Sequence, residues 1–95
     1  MSDFRHIVLF RVRDGVAPAE VDAALRELRR LADLPGVRSW RIERSLDERK
    51  GQMIVEDATF DDEGAFKRFR TAPEHRAVSE RMAEISDWWV GDYRA

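Results

Sequence analysis

The chain contains no cysteine, which removes a disulfide framework, a thiolate metal site and a cysteine nucleophile together. Glycine is scarce: five residues are scattered over turns and strand ends. No glycine-rich loop is present to cradle a phosphate, and no nucleotide cofactor is expected. Long hydrophobic runs are also missing. The apolar stretch in the opening MSDFRHIVLFRVRDG is short and bounded by arginines, so it suits neither a signal peptide nor a membrane span. The expected location is the cytoplasm, with no membrane partner.

Lysine occurs only at Lys50 and Lys67. The arginines that supply the remaining positive charge alternate with acids along the chain, and the net charge is −2. Without a basic run, sequence-independent nucleic-acid binding is not expected. Ser39, Ser45, Ser79 and Ser86 lie in no nucleophile elbow or triad context, so serine hydrolysis has no support.

Apolar residues and charges are both plentiful, the balance of a folded protein, and 95 residues make one domain, residues 1–95, with a limited core. Residues 4–13 alternate as a strand, with Phe4, His6, Val8, Phe10 and Val12 on one face and Arg5, Ile7, Leu9, Arg11 and Arg13 on the other. Asp14-Gly15 ends it. From Pro18 to about Asp33, Val21, Ala24, Leu25, Leu28, Leu31 and Ala32 recur at helical spacing. Leu34-Pro35-Gly36 stops that helix, and residues 37–44 form a second strand with Trp40 and Ile42 on one face.

The charged segment Asp47 to Gly51 is expected to turn a hairpin into a third strand, residues 52–60. Asp61 offers an N-cap to a short helix bearing Phe66 and Phe69. A second helix runs from Pro73 to about Ile85, with His75, Val78, Met82 and Ile85 on one face. Residues 87–93 close the chain as a strand. The order βαββααβ predicts a ferredoxin-like α+β sandwich, a four-stranded antiparallel sheet with its helices on one face.

Such a sheet leaves its second face open, yet Ile7 and Leu9 point to that face, and Trp88 and Trp89 cannot both point inward. A second copy packed sheet to sheet would cover it, so a homodimer, closing into an α+β barrel, is expected.

His6-Ile7-Val8-Leu9-Phe10, the helix ending in Leu34-Pro35-Gly36-Val37, Ala72-Pro73-Glu74-His75 and the closing Trp89-Val90-Gly91-Asp92-Tyr93 together resemble the stress-responsive dimeric α/β-barrel (Dabb) family over the whole chain. The resemblance implies the dimeric barrel and a small-molecule enzyme or ligand-binding protein. In a plant branch, olivetolic acid cyclase, the histidine of the Pro-x-His segment is the general base of an aldol-type polyketide cyclisation; here that position is His75. A supporting tyrosine of that branch falls on Phe69, which has no hydroxyl, and a pocket histidine falls on Met53. The first-strand histidine is present as His6.

His6 and His75 are the only histidines, and imidazole exchanges a proton near neutral pH at little cost. Both lie on faces that otherwise read as apolar, so each needs a hydrogen-bond partner or a ligand-filled cavity. The candidate catalytic pair is His75 as base and His6 as the group that orients or polarises a small aromatic or polycarbonyl ligand. Val8, Phe10, Met53, Val55 and Phe69 are expected to line the pocket. The alternative is a non-catalytic dimeric protein whose two histidines are structural. No metal is expected, because the histidines lack a third ligand at a recognisable spacing. Glu56 and Asp57 point to opposite faces of their strand and cannot form a close carboxylate pair; one is expected in solvent, the other on an arginine such as Arg41, Arg11 or Arg13.

Overall fold

A computed structural model describes residues 3–95. Strand β1 (Phe4–Val12) is followed by helix α1 (Pro18–Arg30) with a 3-10 turn over Leu31–Asp33, then β2 (Val37–Arg44), β3 (Met53–Phe60), α2 (Glu63–Thr71), α3 (Pro73–Ile85), β4 (Ser86–Val90) and β5 (Tyr93–Arg94). The sheet is antiparallel, in the order β2-β3-β1-β4, with β5 also paired to β1. The closing strand is thus not continuous through residue 93. It breaks at Gly91-Asp92, where the Gly91 N–H donates to the Ile7 carbonyl at 2.9 Å, and the sheet counts five strands instead of the expected four.

The alternation in β1 follows the expected phase, with Phe4, His6, Val8, Phe10 and Val12 buried beneath the helices. Helix α1 packs Val21, Ala24, Leu25 and Leu28 onto that face, and each large side chain so buried contributes about 1.5–3 kcal/mol. Gly36 between α1 and β2 has φ +90°, which requires glycine, and a Cβ there would also crowd Ala65, 3.1 Å from its Cβ.

The N-cap of α2 is Asp62, one residue later than Asp61: the Ala65 N–H donates to Asp62 Oδ1 at 2.8 Å. Its C-terminus, Ala72, is extended and immediately becomes the N-cap of α3, with Pro73 at the first helical position. At the other end of α3 the buried Ser86 hydroxyl donates to the Met82 carbonyl at 2.7 Å, satisfying a terminal helix group as the chain turns straight into β4.

The second face of the sheet carries Ile7, Leu9, Met53, Val55 and Trp89, with Leu9 directly opposite Val55 and Trp89. Leu9 is 40% and Trp89 59% exposed, and the ion pairs Arg5–Asp57 and Arg41–Glu43 flank this apolar strip. Asp57 therefore pairs with Arg5, not with Arg41, Arg11 or Arg13.

Candidate active site

Between the inner sheet face and the helices lies a cavity of about 400 Å³. Strand register builds its floor: Val8 lies opposite both Glu56 of β3 and Val90 of β4, and Phe10 opposite Trp88. Leu28 and Leu31 of the first helical segment, Phe66 of α2 and His75, Val78, Ser79 and Met82 of α3 form the other wall. His6 and His75, from opposite walls, both line it.

His6 is 6% exposed and both of its ring nitrogens face carboxylates. Nδ1 is 2.6 Å from Asp92 Oδ1 and Nε2 is 3.1 Å from Glu56 Oε2. The strand break at Gly91-Asp92 places Asp92 beside β1, and Glu56 faces inward because it alternates with Val55 and Asp57. The ring packs on Phe66, with centroids 4.5 Å apart. Burial works against a charge on His6, but the hydrogen bonds and charges of Glu56 and Asp92 outweigh it and raise its pKa above the ordinary 6.5. The imidazolium form is favoured.

His75 stands in the first turn of α3, its ring 4.8 Å from that of Phe69. Burial pushes its pKa below 6.5; the charges of His6 and Arg70 push the same way, against the charge of Glu56 and the backbone of Arg70. Nδ1 of His75 is buried and has no hydrogen-bond partner among the described residues, unusual for a buried ring nitrogen. The cavity is thus lined by one imidazole whose charged form burial disfavours and, from the opposite wall, by one whose charged form two acids favour. No group of three or more metal-ligating side chains occurs among the described residues, and no helix there is long and apolar enough to cross a membrane.

Val8 and Phe10 line the cavity as expected from the sequence, whereas Met53, Val55 and Phe69 do not. Met53 and Val55 occupy the opposite phase of β3, in which Ile54, Glu56, Ala58 and Phe60 are buried under the helices, so both project to the open sheet face. Phe69 is 2% exposed and sits behind His75, its ring tilted against those of His75, Phe60 and Trp40. Sequence reasoning missed Glu56, Asp92, Ser79 and the arginines Arg70 and Arg76, all on the cavity wall. Strand phase alone could have found Glu56, since it shares the parity of Ile54 and Ala58.

Residues 4–95 match the stress responsive A/B barrel domain family, Dabb. The chain belongs to that family. A relative in Streptomyces coelicolor, the uncharacterized protein SCO4036, is 30% identical over 93 residues, 94% of this chain and 96% of that one. Among solved structures, a dimeric ferredoxin-like protein of Thermobifida fusca is 26% identical with a TM-score of 0.88, covering 99% of this Dabb chain and 92% of that one. SnoaB, a cofactor-independent oxygenase of Streptomyces nogalater, shares the fold at 24% identity and TM-score 0.80, covering 100% and 94%.

Proposed function

We propose that this Dabb protein is a homodimeric, cofactor-independent enzyme acting on a small aromatic or polycarbonyl ligand, with His75 as general base. One observation carries the reading: His75, whose burial disfavours its charged form, lines the same cavity as the clamped His6. The His75 imidazole takes a proton from carbon beside a carbonyl, and the C–H electron pair passes to the carbonyl oxygen as an enolate. In an aldol-type closure the enolate carbon bonds to a second carbonyl of the same ligand, and His75 returns the proton to the new alkoxide. The Ser79 hydroxyl, one helical turn beyond His75 on the same wall, supplies the oxygen-stabilising donor that Phe69 cannot. Because both nitrogens of His6 are engaged, His6 acts on the ligand through its charge. The oxygenase fold neighbour supports chemistry in which the ligand, not a cofactor, supplies the reactive carbon.

The test is hydrogen–deuterium exchange beside the carbonyl of an aryl ketone in D2O, followed by NMR. Wild type should accelerate exchange and His75→Ala should lose about 10²–10⁴-fold of that rate; equal rates reject the base. The dimer reading rests on the apolar open face and on the dimeric Thermobifida fusca neighbour. Leu9→Glu, which sets a charge in that face, should convert the dimer to monomer in sedimentation velocity; an unchanged sedimentation coefficient locates the interface elsewhere. At His6 a second reading has an observation in its favour: two carboxylate partners suit a structural histidine.

A further inference from the structure

The chemistry on the inner wall of the cavity differs from that at its mouth. The buried Glu56 and the more exposed Asp92 both contact the one histidine His6. At the mouth stand Arg70 from the last turn of α2 and Arg76 from the first turn of α3, both exposed and both on the cavity lining. Neither guanidinium has a hydrogen bond or ion pair among the described residues; surface arginines such as Arg13, Arg44 and Arg94 are paired to acids, and Arg26, Arg30 and Arg68, which have no ion pair either, lie off the cavity lining. The two carboxylates of the lining are thus engaged by His6, and the two guanidiniums of the lining have no acid of their own.

We propose that Arg70 and Arg76 form an anchor for a carboxylate, so that the ligand of this Dabb cavity is an aromatic oxo acid: its carboxylate at the mouth, its carbonyl carbon chain between His75 and the His6 wall, its ring on the apolar floor. The placement rests on the reading of His75 as the base, since it orients the carbonyl inward. Guanidinium forks match a carboxylate in geometry as well as charge. Trp88 and Phe10, with ring centroids 5.8 Å apart, supply a floor for the aryl group.

The probe is 4-oxo-4-phenylbutanoate, compared with its methyl ester and with phenyl phosphate, with binding followed by calorimetry on the full chain. The acid should bind at least about 10-fold tighter than the ester, a bidentate charged contact being worth about 1.5–3 kcal/mol, and raised salt should remove most of the difference. Arg70→Gln and Arg76→Gln should each abolish the preference, Arg70→Lys should restore part of it, and Arg68→Gln, a change of equal charge on the outer side of α2, should leave it intact. Equal binding of acid and ester, or a preference that survives both glutamine variants, overturns the anchor. Tighter binding of phenyl phosphate than of the carboxylate overturns the assignment to a carboxylate. Deuterium exchange on the same acid separates the two readings. Arginine-dependent binding without exchange removes the base and leaves the anchor, whereas His75-dependent exchange with equal binding of acid and ester removes the anchor and leaves the base.

Discussion

The two histidines sit across one cavity and are treated oppositely by their surroundings. His6, on the central strand, has an acid at each nitrogen; His75, at a helix start, has an apolar stack and a nitrogen with no partner. Both are substantially buried, so burial alone does not decide their protonation. The neighbouring carboxylates do. The charged form is favoured in one ring and disfavoured in the other, which is the separation the proposed acid–base site needs.

Three changes would test that contrast. The largest effect is expected from exchanging the roles: His75→Ala should abolish ketone exchange by the factor given above with little change in stability, while His6→Ala should unfold at markedly lower urea. Removing His6 leaves the buried Glu56 without its cation, a loss of about 3–5 kcal/mol for a broken buried pair. If the stability losses are equal, the contrast fails. Asp92→Asn should come next, at about 1.5–3 kcal/mol for one charged hydrogen bond, and should lower the His6 pKa in an NMR titration without moving His75 in the same direction.

The smallest effect is the pH dependence of stability, and its sign differs between the rings. The raised pKa of His6 gives stability that is fully present below 6.5 and lost as pH climbs through the folded value. For His75, whose folded pKa is lowered, stability is lost as pH falls from 6.5 through the folded value. In wild type the two act in adjacent pH windows and leave a stability maximum near 6.5. His75→Gln should therefore remove the decline with falling pH below 6.5, and His6→Gln the decline with rising pH above it, both measured as urea midpoints against pH.

Much of the architecture was legible in the sequence. The period of β1, the helical stripe from Val21 to Leu28 and the Pro73 helix start are local patterns, and each element formed where its pattern lies. The phase of β3 was harder, because apolar residues occur on both of its faces: Met53 and Val55 look as suited to a pocket as Ile54 and Ala58. The partners of His6 were out of reach for another reason. Asp92 lies 86 positions away and faces His6 only because the last strand breaks at Gly91, a tertiary event with no mark in the flanking residues. The mouth arginines were hidden in an arginine-rich chain, where only their place on the cavity lining sets Arg70 and Arg76 apart.

The break at Gly91-Asp92 ties the first strand to the last turn of the chain. Because the His6–Asp92 contact closes a loop of nearly the whole polypeptide, it belongs to the slow, non-local class of pairings in folding. The ligand cavity therefore has no partly folded version with its charge pattern intact. Its binding signal should appear and vanish together with the global transition, making ligand binding itself a reporter of complete folding.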